Sequence, residues 1–283
     1  MLLYLPMIAL AVFFLFPIVF MLVSSLKTDV QIFADLDSPR AFLPVGPLTL
    51  DNYTEVFGKV PVGRFLVNSL IVSLLTVALG LLVNSMMGFA LARMQMRGHR
   101  IVLGLVLATM VVPFEAIAIP LLYEVTKLPT IEFQDGLPVL STNWLNTYYV
   151  QIIPFVANAF SIFLFRQFFA AIPTELDEAA RVDGAGWFTI YRRIIVPLSG
   201  PVFATAAILT FLPAWNQYLW PLIAIQDEQL RPLNVGMDYF FQLKTAWGQV
   251  MAYGSIIIVP VIAVFLAFQR AFVDSIASTG VKG

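Results

Sequence analysis

Apolar positions run along this chain in long stretches separated by short polar gaps, not in the alternation of a half-buried sheet. A bilayer core is about 30 Å thick, so a crossing helix needs about 20 apolar residues. Six stretches reach that length: residues 2–25, 65–92, 101–123, 147–171, 201–225 and 250–273. The pattern predicts an all-α membrane protein, one transmembrane domain over residues 1–283 with six spans. Several spans carry proline: Pro6, Pro17, Pro113, Pro120, Pro154, Pro213, Pro221 and Pro260. Membrane helices tolerate such kinks where neighbours satisfy the freed carbonyls. The kinks suit either bundle packing or a lined pathway, and both readings stay open.

Composition agrees with the pattern. The chain of 283 residues is 60% hydrophobic and 12% charged, with mean hydropathy +0.87. Soluble domains carry about 25% charged residues. Cysteine is absent, which excludes a disulfide framework, a thiolate metal site and a thiol nucleophile. A net charge of −1 gives no electrostatic footprint for nucleic acid. The first apolar stretch is too long for the core of a signal peptide and follows no basic region, so it reads as a span. The chain opens directly on Met1-Leu2-Leu3, and a short basic leader ahead of them is an open expectation.

The connections fall into two classes. The long ones, 26–64, 124–146 and 226–249, hold Lys27, Arg40, Lys59, Arg64, Lys127, Arg231 and Lys244. The others and the tail hold Arg93, Arg97, Arg100, Arg181, Arg192, Arg193 and Lys282, with Arg166 and Arg270 near span ends. Nine basic residues stand against seven, and density decides: Arg93, Arg97 and Arg100 crowd one tight turn. Short basic loops stay inside, so both termini are expected in the cytoplasm. Residues 50–57 suit a short interfacial helix opened by Asp51, and Trp144, Trp220 and Trp247 suit an aromatic belt.

The connection between the fourth and fifth spans, 174–197, has a pattern of its own. Thr174 is placed to cap a first helix, with Asp177 three residues on as a weak capping-box partner. Glu175, Asp177 and Glu178 in the first turn suit the helix dipole. Gly184 is placed to end it. Trp187, Ile190, Tyr191 and Ile194 then recur at helical spacing as one apolar stripe, which Pro197 closes. Small Ala179 and Ala180 admit close approach of a partner, and Glu178 and Asp183 offer acceptors. The same composition suits a helix pair lying flat under its own bundle, and both readings stay open.

The residues Glu178-Ala179-Ala180, Gly184, Ile194 and Pro197 resemble the signature of bacterial ATP-binding-cassette importer permeases: Glu-Ala-Ala, three residues, Gly, nine residues, Ile, one residue, Leu-Pro. Val196 stands where the pattern has Leu and keeps the apolar volume; Asp183-Gly184-Ala185 extends the match. Asn52-Tyr53, Asn68-Ser69-Leu70, Trp215-Asn216 with Pro221-Leu222, Phe268-Gln269-Arg270 and Gly280-Val281-Lys282-Gly283 resemble carbohydrate-uptake permeases of the maltose and glycerol-phosphate type. Among these the chain is similar to the G-type member of the maltose pair, although Ser278-Thr279 depart from the usual approach to the tail.

The resemblance implies a permease subunit of an importer in a bacterial inner (plasma) membrane. It implies a homologous second permease and two ATPase subunits that bind ATP and Mg, with no cofactor in this chain. A soluble solute-binding protein would deliver a carbohydrate. The 174–197 loop would be the coupling helix, seated in a cleft of the ATPase. The segment with Pro232, Asn234 and Gly236 resembles the one that reaches toward the binding protein.

Glu115 is the one carboxylate placed within a span. Ionisable groups there are expensive and point to function. It suits a translocation path or a ligand for a solute hydroxyl, and equally a structural acceptor beside Pro113 or a position close enough to the outer interface to be wet. Trp215-Asn216-Gln217-Tyr218 pairs aromatic faces with amides, a combination that suits sugars; interhelical hydrogen bonding explains it equally. Asn68, Ser69, Asn84 and Ser85 suit helix–helix contacts. The lone His99 sits in a basic turn and reads as solvated. No phosphate-loop pattern is present, so the chain reads as a non-catalytic subunit. A sugar phosphate, amino sugar or polyol is an alternative cargo. An autonomous secondary carrier would need repeats and midplane ion ligands; one candidate carboxylate, Glu115, and no repeat are seen, which leaves it a remote alternative.

Overall fold

The computed structural model describes residues 4–94, 97–134, 137–241 and 245–280. Met1-Leu2-Leu3, Lys244, the terminal Val281-Lys282-Gly283 and the side chain of Arg270, all used above, lie outside the described residues. The chain opens with α1 (Tyr4–Ser24), α2 (Asp29–Asp35), α3 (Asp51–Lys59), α4 (Val62–Arg93), α5 (His99–Thr109) and α6 (Phe114–Val125). A hairpin of β1 (Pro129–Gln134) and β2 (Leu137–Thr142) follows. Then come α7 (Tyr148–Ile152), α8 (Ala159–Ala171), α9 (Glu175–Val182), α10 (Trp187–Ile190) and α11 (Val196–Leu198). The chain closes with α12 (Gly200–Trp215), α13 (Leu219–Ala224) and α14 (Trp247–Gly280).

Among the described residues, three helices, Tyr4–Ser24, Val62–Arg93 and Trp247–Ala267, are long and apolar enough to cross a membrane, and the number rises to six if each of three bent pairs is one span. The continuous helices cover the spans expected at 2–25, 65–92 and 250–273. The span expected at 101–123 is instead α5 and α6, bent by 102° at a break that ends on Pro113. Proline biases the residue before it out of the helical region. The span expected at 147–171 bends by 42° between Tyr148–Phe155 and α8, just after Pro154. The third bent pair joins Trp187–Leu198 to α12 at 84°, and the span expected at 201–225 breaks at 216–218 into α12 and α13.

The antiparallel hairpin pairs Pro129 with Thr142 and Ile131 with Leu140. It was not expected in an all-α chain. An extended connection must satisfy its backbone groups, and here it does so by pairing with itself.

The chain divides into two compact units, Met1–Val67 with Pro232–Ala263, and Asn68–Arg231 with Val264–Gly283. In the first unit the connection after α1 folds into a polar interior. Lys27, 1% exposed, donates to Asp35 Oδ2 at 2.9 Å and to the Arg40 carbonyl at 2.6 Å. That hydrogen bond holds the Asp35 carboxyl below the usual carboxylate range. Asn52 Nδ2 donates to the carbonyls of Ser25 and Lys27. Gln249 accepts from Lys59 and donates to Glu55. The helix expected over 50–57 is α3, with Asp51 in its first turn.

In the second unit, aromatic and branched residues of α4, α8, α10 and α12 close one core around Phe89, Phe165, Phe169, Ile190 and Ile195. A second core gathers Val125, Val150, Trp220, Ala224 and Ile225. Trp220 is 1% exposed and donates to the Val150 carbonyl at 2.7 Å, so it is a core residue and not part of an aromatic belt. Asn84 bridges the break between α7 and α8: its amide donates to the Val156 carbonyl and accepts from the Asn158 amide.

Candidate functional site

Residues 174–198 form a helical hairpin. The first arm, α9, begins with three acids in its first turn, which suit the positive end of the helix dipole. Thr174 makes no side-chain capping bond, so the expected capping box is absent. Asp177 turns inward instead, to an arginine of α4.

The arm ends in a Schellman turn. Gly184 N–H bonds the Arg181 carbonyl and Ala185 N–H bonds the Ala180 carbonyl. This turn requires the left-handed backbone that Gly184 adopts, φ +80°. Space around it is open, so conformation and not crowding is what selects glycine there.

The second arm runs from Trp187 to Leu198 as α10, a π-helical turn over Tyr191–Ile195, and α11. A π turn widens the helix by one residue and is frequent at functional sites. Arg181 stacks over the Trp187 ring at 5.0 Å and ties the two arms together.

One stripe of α4 holds the hairpin. Ser85, Phe89 and Arg93 lie four residues apart, on one helix face. Ser85 Oγ and the Tyr191 hydroxyl hydrogen-bond at 2.7 Å in the interior. Phe89 meets Trp187, Tyr191 and Phe169 with ring centroids 5.4–6.5 Å apart. Arg93 Nε lies 3.1 Å from Asp177 Oδ2, both side chains buried, and its Nη2 donates to the Ile172 carbonyl at 2.7 Å.

The contact with Asp177 is ionic without hydrogen-bond alignment, and Arg93 Nε and Asp177 Oδ1 are left without a hydrogen-bond partner. Burial therefore dominates and raises the Asp177 pKa. Arg93 opposes the shift and Glu178 adds to it. Gly88 lets α8 approach: a Cβ there would stand 2.6 Å from Phe165 Cβ and 3.0 Å from the Arg166 nitrogen.

The sequence-predicted residues of this loop divide between two faces. Glu178, Ala179, Asp183, Gly184 and Pro197 are exposed. Beside them stand the apolar Leu176 and Val182, 41% and 88% exposed. Ala180 and Ile194 pack against the Phe89 core. The hairpin thus offers a mixed acidic and apolar tip on a packed base.

The residues expected along the membrane path are not gathered in one place. Glu115 is exposed in the first turn of α6, at the α5–α6 bend. Its exposure agrees with the expectation of a wet position, in a span that is broken there and not continuous. Trp215 ends α12, is 1% exposed and stacks on Phe211. Asn216 and Tyr218 are exposed, and Gln217 is half-buried. Gln217 lines a small cavity of about 130 Å³ with Thr76, Asn158 and Pro213, where two helix breaks meet. Thr76 is buried and its hydroxyl has no hydrogen-bond partner.

In the other unit, Pro232 and Gly236 are buried and Asn234 is half-buried. Phe65 and Tyr253 close on Gly236 so tightly that a Cβ would overlap both. Between Pro232 and Phe241, Asp238 and Phe241 are exposed.

Comparison with known proteins adds the family. Residues 84–278 match the family described as binding-protein-dependent transport system inner membrane components. The chain belongs to this family.

An arabinooligosaccharide transport permease of Bacillus subtilis is 34% identical over 97% of this chain and 92% of its own. A lactose transport permease of Rhizobium radiobacter is 33% identical over 92% and 88%. A sn-glycerol-3-phosphate transport permease of Brucella abortus is 32% identical over 93% and 91%. A chain from the crystal structure of a bacterial ABC transporter for import of the acidic polysaccharide alginate aligns with TM-score 0.78. Identity there is 22%, over 96% of this chain and 95% of that one, and the likeness is one of fold.

Several residues that build this permease's hairpin base carry no mark in the loop motif. Phe89, Gly88 and Arg93 lie on a span, and Asp177 reads as one acid among three. The four-residue spacing of Ser85, Phe89 and Arg93 was the available signal, since it puts a hydroxyl, a ring and a cation on one helix face.

Proposed function

We propose that this permease is the subunit of an ATP-driven importer that receives a carbohydrate from a solute-binding protein and passes it through the bacterial inner membrane. The observation that carries the reading is the 174–198 hairpin. Its Glu-Ala-Ala tip is exposed, while its base is locked to α4 and α8. A tip of Glu178, Ala179, Asp183 and Gly184 fits a cleft on a separate ATPase. A base held by an ion pair, a ring cluster and a buried hydrogen bond carries the ATPase's movement into the spans as a rigid body.

The hairpin then lies on the cytoplasmic side, with both termini, as the density of arginines suggests. ATP and Mg belong to the two ATPase subunits. A homologous second permease completes the pore. Asp238 and Phe241 meet the binding protein, on a loop shaped by Pro232, Asn234 and Gly236.

The cargo is a neutral saccharide. The cavity at the helix breaks is lined by Thr76, Asn158, Gln217 and apolar residues, with no charged side chain. Hydroxyls and amides serve sugar hydroxyls, whereas a phosphate calls for a cation. Two of the relatives named above carry uncharged saccharides by name. Glu115, Asn216 and Tyr218 remain candidates for the path.

Purification of the chain from its native membrane in mild detergent tests this reading. A second permease and an ATPase should co-purify. The assembly should hydrolyse ATP faster when the loaded binding protein is added. Recovery of this chain alone, stable and monodisperse, overturns the reading.

A further inference from the structure

The cleft at the base of the hairpin, where the end of α4 and the start of α5 meet α8, α9 and α10, is not absorbed by the docking function. It encloses about 550 Å³. Four guanidinium groups line it, from Arg93, Arg97, Arg166 and Arg181, with the His99 ring, against the carboxylates of Asp177 and Glu178. Arg93 is engaged by Asp177, and Arg181 lies over Trp187.

Arg166 donates to Gln167 through Nη1, but its buried Nε has no hydrogen-bond partner among the described residues. Arg97 is exposed at the rim. The cleft therefore holds more positive charge than its own acids neutralise. Its remaining walls include the apolar Leu91, Met94 and Trp187.

We propose that this cleft binds a phosphate group, that of an anionic phospholipid, with Arg97 and Arg166 as its ligands. Guanidinium forks match phosphate oxygens in a bidentate manner. Basic pockets between helices at the inner face of a membrane suit anionic headgroups. The apolar wall favours a phosphodiester that carries a glycerol and acyl chains over a free ion. The cleft touches the α9 arm through Asp177 and Glu178, so an occupied site braces the hairpin base. The choice of leaflet rests on the inward placement of the hairpin proposed above.

The test is native mass spectrometry of the detergent-purified protein, alone or in whatever complex it is recovered, titrated with phosphatidylglycerol. Phosphatidylcholine is the neutral control, and inorganic phosphate is a separate arm. Phosphatidylglycerol should bind preferentially. Arg97→Gln with Arg166→Gln should weaken that binding about 30-fold, from roughly fivefold per arginine. Arg97→Lys with Arg166→Lys should restore most of it.

Phosphate binding that is lost in the glutamine variant, with no lipid preference, retains the phosphate site but assigns it to a free anion. Equal phosphatidylglycerol binding by the wild type and the glutamine variant overturns the proposal. If the double variant does not assemble, Arg166→Gln alone decides, with an expected fivefold loss. The readout counts bound lipid and needs no ATP hydrolysis, so it fails or succeeds independently of the docking reading.

Discussion

Two buried pairs of opposite charge, Lys27–Asp35 and Arg93–Asp177, do different work in this chain. Lys27 places an aligned hydrogen bond on Asp35 and a second on the Arg40 carbonyl. The carboxylate is favoured there, and the Asp35 pKa falls. Arg93 approaches Asp177 without hydrogen-bond alignment, burial wins, and that pKa rises.

The surroundings differ in the same sense. The stretch around Lys27 spends its polar groups within its own unit: Asn52 and Asp29 bond backbone groups, and Gln249 bonds the side chains of Lys59 and Glu55. The hairpin spends only its base and leaves Glu178, Asp183 and Val182 outward. A polar loop satisfied by its own groups is architecture. A loop that is fixed at one end and unsatisfied at the other is a surface awaiting a partner.

The largest effects come from removing either cation. Arg93→Ala leaves the buried Asp177 carboxylate without its cation, at a cost of about 3–5 kcal/mol, and Lys27→Ala, which removes the main partner of Asp35, also lowers stability; both are measured by thermal unfolding of the assembled complex. Only Arg93→Ala should also lower the transport obtained per ATP hydrolysed. Equal loss of coupling by both variants would erase the contrast between the two pairs.

The two aspartates should respond to pH in opposite directions. The Asp35 pKa is lowered from 3.8, so its contribution is present above that unfolded value and is lost as pH falls through the folded one. The Asp177 pKa is raised from 3.8, so its contribution is complete below that value and is lost as pH rises through the folded one. Asp35→Asn and Asp177→Asn should each abolish one limb of the pH–stability profile.

Glu178→Lys should leave unfolding unchanged, since Glu178 is exposed. It should reduce coupled transport about tenfold, equivalent to ~1.4 kcal/mol, while the ATPase alone remains active. Gly184→Val should cost about 1–2 kcal/mol through the left-handed backbone and uncouple by distorting the tip. Normal transport by both variants would remove the docking role. The smallest effect is expected from Ser85→Ala, about 1 kcal/mol for one buried hydrogen bond to Tyr191, with transport retained.

Continuous spans were legible because a run of apolar residues in a bilayer has one backbone solution, the helix. The broken spans were less so. Pro113 and Pro154 marked the right neighbourhoods, but whether a proline bends a helix or divides it depends on who receives the freed carbonyls. The Val150 carbonyl that Pro154 frees is received by Trp220, and the break at 156–158 is bridged by Asn84, both far away in sequence. The hairpin at 129–142 escaped notice because its strands satisfy each other and present no long period. The composition of 101–123 does not record the 102° bend at which Glu115 sits.

The sequence by itself determined the membrane class, the helical architecture and the family, since apolar run length and a spaced loop motif are local properties of the chain. The tertiary structure alone decided which motif residues face outward and which are fastened inward, and that Phe89 and Arg93 serve the hairpin. It also gathered four arginines from three separate segments into one cleft. Burial, ion pairing and pKa shifts depend on what packs against a group, and packing joins residues that sequence spacing keeps apart.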